Sequence, residues 1–184
     1  MNAIEISGLS KRYQDFTLDN VTLALPQGGV MGLVGENGAG KSTLIRLTMN
    51  AASRDGGTVK VLGRDNRDAD FAAVKEDVGV VLDEAYFPEV LTAKNVGAVM
   101  QNTYRNWRAE TYARYLDQFR LPANKPFKDF SRGMKMKLAI AVALSHEAKL
   151  LILDEATSGL DPIVRDEILD IFLDFTREET HSLL

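Results

Sequence analysis

The run GENGAGKST, Gly35 to Thr43, puts three glycines, a lysine and two hydroxyl side chains in one loop, directly after the apolar stretch VMGLV, Val30 to Val34. Glycine lacks a Cβ, so it reaches backbone angles that other residues avoid and lets another group come close to the main chain. Gly35, Gly38 and Gly40 therefore allow successive N–H groups to turn inward, and a concave set of amides binds anions. The next residues, LIRLTM from Leu44 to Met49, carry apolar side chains at helical spacing. The loop thus opens a helix, whose N-terminus offers unpaired donors and a partial positive charge. Lys41 adds a full charge where the amides converge, and Ser42 a hydroxyl able to ligate Mg²⁺. Gly35-x-x-x-x-Gly40-Lys41-Ser42 fits the phosphate-binding P-loop at every fixed position. The candidate phosphate-binding residues are the whole run: Gly35, Glu36, Asn37, Gly38, Ala39, Gly40, Lys41, Ser42 and Thr43.

A phosphate loop between a buried strand and a helix belongs to an α/β chain, and the remaining pattern agrees. Ile4 and Ile6 alternate with polar residues, as does TLDNVTLAL from Thr17 to Leu25, which predicts two strands with a turn near Gln14 and Asp15. Val30–Val34 reads as a buried strand. A turn at Arg54–Gly57 precedes an alternating strand, Thr58 to Gly63, then a short helix from Asp68 to Lys75 and a buried strand, Val78 to Leu82. Ala93 to Arg120 reads as mostly helical. Tyr104, Trp107, Tyr112, Tyr115 and Phe119 are dispersed through it without basic clustering, so they read as core packing rather than a base-stacking surface. Pro122 and Pro126 bound a linker, Met134 to Ser145 is an apolar helix and Leu150 to Leu153 a buried strand. Asp161-Pro162 begins a helix to about Thr176, Asp being a favoured cap and Pro a favoured first residue. The expected organisation is a nucleotide-binding α/β core of residues 1–83 and 146–184 carrying a helical subdomain of residues 84–145.

LLILDE, Leu150 to Glu155, ends its strand on two carboxylates. Ligands of open α/β sheets lie at the carboxyl ends of strands. Asp154 is then the candidate Mg²⁺ ligand. Glu155, pointing elsewhere if the backbone stays extended, is the candidate general base for a water. Taken alone, a solvated acidic strand end looks the same; beside a complete P-loop the pair reads as a nucleotide site.

Composition closes off other classes. In 184 residues, 45% are hydrophobic and the net charge is −4, so nothing here resembles the basic footprint of sequence-independent nucleic-acid binding. The absence of cysteine excludes disulfides, thiolate metal sites and a cysteine nucleophile. No apolar run approaches the roughly 20 residues of a membrane span, and MNAIEISGLSKRY has no signal-peptide core.

The motifs together resemble the nucleotide-binding subunit of ATP-binding cassette (ABC) transporters over essentially the whole chain. Phe130-Ser131-Arg132-Gly133-Met134 stands where that family has its Leu-Ser-Gly-Gly-Gln signature, Ser158-Gly159-Leu160-Asp161 resembles its D-loop, and Leu91-Thr92 with Asn95 the segment after its Q-loop. Tyr13 stands where the family stacks an aromatic ring on adenine. The resemblance implies a P-loop NTPase (RecA-like) core with an antiparallel β edge, an inserted helical subdomain, and ATP with Mg²⁺ as ligands. It also implies a head-to-tail dimer, read here as a homodimer, in which Ser131 and Gly133 of one subunit close on the other's ATP. A separate membrane permease would place the chain on the cytoplasmic face of the membrane, with no nucleic acid involved.

Departures from the family pattern refine this. The Ser-Arg-Gly-Met-Lys form is similar to that of exporters with separately encoded membrane subunits. Asp83 replaces the Q-loop glutamine; it can still contact Mg²⁺ or its water but is shorter by one methylene. Ala156 replaces a proline after the Asp-Glu pair. The family's switch histidine follows a later strand. Here EETHSLL, Glu178 to Leu184, reads as that strand's start, so His181 comes too early for the role, and His146 reads as structural. The chain is therefore expected to be shorter than the family's domain and to bind ATP better than it hydrolyses it. The competing readings are a soluble ABC ATPase without a membrane partner and a fragment that binds nucleotide without turnover.

Overall fold

A computed structural model describes residues 1–83 and 87–184. The chain forms two compact units, Met1–Lys75 with Thr176–Leu184, and Glu76–Phe175.

In the first unit, β1 (Asn2–Arg12) pairs antiparallel with β2 (Thr17–Pro26) on one side and β3 (Gly56–Val61) on the other. Ile4 faces Leu25 and Val61, and Ile6 faces Leu23 and Val59, so one face of the sheet is apolar; Ile4, Ile6, Leu9, Leu25, Val59 and Val61 are buried. The P-loop helix α1 (Lys41–Thr48) buries Leu44, Ile45 and Leu47. A two-residue turn at Leu62-Gly63 joins β3 to β4 (Arg64–Asp65), and both turn residues have positive φ, 48° and 83°. That is the twist a tight hairpin demands. The strand expected to reach Gly63 therefore stops at Val61. A short helix, α2 (Phe71–Lys75), starts three residues later than expected.

Asn66, 1% exposed, ties this unit to the P-loop helix. Its Nδ2 donates to the carbonyls of Leu47 (2.6 Å) and Thr48 (3.0 Å) in the last turn of the helix, where Leu47 O also accepts from Asn50 N–H at 3.2 Å. Its Oδ1 accepts from Arg54, whose guanidinium also pairs with Asp65 at 2.8 Å. Burial pushes the Asp65 carboxyl up, but Arg54 and the Arg67 amide outweigh it and hold it below the usual range.

One expectation fails here. Val30–Val34 is not a buried strand: only Val30 makes a bridge, to Leu183 of β7 (Ser182–Leu183), while Val30 and Val34 are exposed. Apolar residues make a strand only where neighbouring backbone accepts their amides. Within this unit that partner is Leu183, through Met31 N–H to Leu183 O (2.9 Å) and Leu183 N–H to Gly29 O (3.0 Å).

In the second unit β5 (Val78–Val81) and β6 (Leu150–Leu153) pair in parallel, with Val81 beside Leu153. Helix α5 (Arg132–Leu144) packs on β5. Contact is close at Gly79, where a Cβ would stand 2.7 Å from the Ala143 carbonyl and 2.5 Å from a Leu151 methyl. The expected helical stretch from Ala93 to Arg120 is two helices, α3 (Ala93–Thr103) and α4 (Ala109–Gln118). A capping box of Thr92 and Asn95 starts α3, and the chain turns out of the helix at Tyr104, whose backbone is extended. Gly97 leaves room for the Tyr112 ring, whose hydroxyl donates to Ala93 O at 2.7 Å. Trp107, Tyr112 and Phe119 are buried, as core packing requires. Helix α6 (Pro162–Phe175) follows β6. Among the described residues no helix is long and apolar enough to cross a membrane.

His146 joins the end of α5 to the start of β6. It is fully buried, lies flat on Tyr104 (centroids 4.0 Å apart, planes at 7°), and its Nδ1–H donates to Glu76 O at 2.9 Å. Nε2 has no partner among the described residues. Burial holds the imidazole's pKa below its ordinary 6.5, against the opposing pull of the Glu76 carbonyl.

These contacts predict two measurable effects on stability. Asn66→Leu, which removes the side-chain donor from the Thr48 carbonyl and the buried acceptor from Arg54, lowers unfolding free energy by about 1–3 kcal/mol in a urea titration; a change below about 0.5 kcal/mol refutes the brace. For His146, the unfolded chain takes up a proton more readily than the folded one. Stability is full above the unfolded pKa of about 6.5 and is lost as pH falls below it, by at most about 1.4 kcal/mol per pH unit. His146→Phe, which keeps a ring on Tyr104, flattens that slope between pH 7 and 5; an unchanged slope refutes the assignment.

Candidate functional site

The first unit carries the phosphate loop. Gly38 and Gly40 have φ of 85° and 100°, the left-handed angles that swing amides to one side of the chain. Gly40 is the N-cap of α1 and offers no side-chain cap, and the first turn contains no acidic residue. First-turn amides have no acceptor within their own helix, so this helix start is electropositive and uncapped. Lys41 Nζ donates to Gly35 O (2.9 Å) and Glu36 O (3.1 Å), folding its ammonium back over the loop. Ala39 N–H closes a turn onto Glu36 O at 3.1 Å. Asn37 lies in this turn, and Ser42 and Thr43 follow Lys41 in the first turn of α1.

Tyr13 is joined to the loop by a residue the motifs did not single out. A Cβ on Gly40 would stand 2.6 Å from Phe16 Cζ and 3.1 Å from Leu18 Cδ1, so the loop rests on Phe16. Phe16 in turn stacks with Tyr13 at 6.5 Å and 29°, and Tyr13 N–H donates to Phe16 O at 2.7 Å. Tyr13 is 43% exposed, leaving part of its ring open, with Lys11 Nζ 5.5 Å from the ring centre and paired to Asp55 at 2.9 Å. The only signal for Phe16 was its spacing after Tyr13 across a turn.

The second unit carries the acidic end. Because Val81 lies beside Leu153, Asp83 and the pair Asp154-Glu155 leave the same end of the β5–β6 pair. Asp154 is 7% exposed and its N–H donates to Val81 O at 2.8 Å; Asp83 is exposed. Glu155 departs from expectation. Its side chain was to diverge from Asp154 by strand alternation, but β6 ends at Leu153 and Glu155 has φ of 50°. A turn closed by Ser158 N–H to Glu155 O (2.8 Å) sets its direction. Left-handed angles are uncommon for a residue with a Cβ and tend to gather at functional sites.

Two helix starts lie in the same unit. Ser131 is the N-cap of α5, its Oγ accepting from Met134 N–H at 3.2 Å. A Cβ on Gly133 would meet nothing closer than Val164 Cγ1, at 3.5 Å, so no close neighbour dictates a glycine there. Asp161 caps α6, its Oδ1 accepting from Ile163 N–H at 2.9 Å with Pro162 as first residue. Thus the structure gathers Tyr13 with Gly35–Thr43 in one unit, and Asp83, Asp154, Glu155, Ser131, Gly133 and Asp161 in the other. The segment between Asp83 and Phe87 lies outside the described residues.

The family described as "ABC transporter" matches residues 18–158. The chain is 35% identical over 178 residues to the lantibiotic transport ATP-binding protein SrtF of Streptococcus pyogenes, covering 95% of this chain and 76% of that one. It is 34% identical over 168 residues to the bacitracin transport ATP-binding protein BcrA of Enterococcus faecalis, covering 90% of this chain and 54% of that one. A solved ATP-binding subunit of an ABC transporter superposes with a TM-score of 0.87 at 28% identity, over 99% of this chain and 78% of that chain. A dimeric ATP-binding cassette bound to ADP and Pi, at 22% identity and a TM-score of 0.85, shares the fold. With its P-loop, its Asp-Glu strand end and its capped signature helix, the chain belongs to the ABC transporter family, as an ATP-binding and ATP-hydrolysing subunit.

Proposed function

We propose that the chain powers export through a separate permease, working as a head-to-tail homodimer on the cytoplasmic face of a membrane. The observation that carries this reading is the co-occurrence of an uncapped P-loop helix and a capped Ser-Arg-Gly-Met-Lys signature helix, beside relatives named for lantibiotic and bacitracin transport. The dimeric fold neighbour supports the pairing. The helical region, residues 84–145, is the surface assigned to the permease, and residues 1–83 and 146–184 the nucleotide-binding core.

Each residue then has a task. Tyr13 stacks on adenine. The amides of Gly35, Glu36, Asn37, Gly38, Ala39 and Gly40, with Lys41 and Thr43, hold the phosphates. Ser131, Gly133 and Asp161 act on the partner's nucleotide. Glu155 orients a water and takes its proton as the water oxygen bonds to the γ-phosphorus and the bond to the ADP oxygen breaks. Ser42, Asp154 and Asp83 offer hard oxygen donors that suit Mg²⁺. Among the described residues no group of three or more His, Asp or Glu forms a protein-only cage. One or two carboxylates, with waters and phosphate oxygens completing the shell, are what Mg²⁺ ordinarily takes. Bound there, it would neutralise charge on those oxygens.

Two variants test these roles together. Lys41→Ala weakens ATP binding by at least about tenfold in titration calorimetry, the loss of a charged hydrogen bond. Glu155→Gln keeps wild-type affinity and loses about 10²-fold or more in turnover. Unchanged affinity in the first, or wild-type turnover in the second, removes that residue from the mechanism.

A further inference from the structure

The signature carries Arg132 at a position where the family pattern has glycine, and no role above requires it. Arg132 is the first residue of α5, in a first turn with no acidic residue. A cation there opposes the helix dipole. Among the described residues it has no carboxylate partner. Its guanidinium instead lies against the D-loop. A Cβ built on Gly159 would stand 2.8 Å from Arg132 Nη1, 3.3 Å from Cζ and 3.6 Å from Nη2, so the fork lies over the glycine. Gly159 has φ of 66°, which already favours glycine, and the close approach adds a second reason for it.

Helix α5 also meets α6, the helix that follows the D-loop. Gly133 faces Val164 of α6, and Lys137 of α5 pairs with Glu167 of α6. These contacts tie α5 to α6, whereas Arg132 reaches the D-loop itself, whose own turns are Ser158 N–H to Glu155 O and Leu160 N–H to Thr157 O.

We infer that Arg132 is a positioning residue: its planar guanidinium clasps the D-loop at Gly159, so that Ser131 and Asp161 are presented as one block. This rests on the proposed reading of those two residues as parts of a shared ATP site. A flat group is suited to the task because it packs against backbone without needing a counter-charge.

Hydrogen exchange on the whole chain tests the clasp directly, and turnover tests its consequence. In Arg132→Ala, amides of Ser158, Gly159 and Leu160 exchange about fivefold faster while those of α5 keep their protection. The kcat for ATP falls about tenfold with KM unchanged, because a misplaced D-loop harms the assembled site rather than the P-loop. Arg132→Lys behaves like Arg132→Ala, since an ammonium has no plane to lay over Gly159. Unchanged D-loop exchange overturns the inference. So does equal loss of protection in α5, which would make Arg132 a helix-holding residue, and so does full restoration by lysine. A wild-type chain without turnover rejects the function on which the inference rests, while the exchange experiment still decides the clasp.

Discussion

Helix α1 begins on a glycine that supplies no cap, and much of the first unit answers to that. A helix start costs free energy if its donors stay unmet, so a cap is the ordinary solution. Here Gly40 withholds one and the first turn contains no carboxylate, leaving an electropositive start for a polyanion. The same residue demands room, because Phe16 and Leu18 lie where its Cβ would be. Phe16 then stacks with Tyr13, so a single glycine joins the phosphate loop to that pair of rings. At the other end of α1, Asn66 donates from β4's edge to the last-turn carbonyls of Leu47 and Thr48.

The second unit solves the same problem the other way. Helices α5 and α6 both begin on capping side chains, Ser131 and Asp161. Their first turns are therefore partly satisfied within the chain, and the residual field at α5 is shaped by Ser131 Oγ and the Arg132 guanidinium. An uncapped start suits a site that holds a triphosphate throughout a cycle. A capped start suits one that meets the phosphate only when two subunits close. This contrast is a physical reason for placing tight binding in the P-loop and conditional contact in the signature.

Much of this was legible in the chain because it was local. Glycines at fixed spacing, a Ser or Asp before an apolar helix, and Pro after Asp each act within four residues: α1 follows its glycine loop and α6 starts at Pro162 as read, while α5 starts at Arg132, two residues before the Met134 that its apolar run suggests. Failures came where distant backbone decides. Val30–Val34 has the composition of a buried strand but finds in its unit only Leu183 to pair with. Glu155 follows an apolar strand but enters a turn, so alternation did not set its direction. Phe16 and Asn66 were illegible for another reason: each matters through a contact made elsewhere in the chain, at Gly40 and at Leu47–Thr48. His146 reads as structural from its place between α5 and β6, and its full burial on Tyr104 agrees.

The central claim is that the complete ATP site needs two chains. Steady-state Mg-ATPase rate across a dilution series tests it most directly. The account predicts that, at the low end, total rate rises with the square of protein concentration, each site needing the other chain's signature. A rate strictly proportional to concentration, with specific activity constant on dilution to well below any measured dimer dissociation constant, would contradict it.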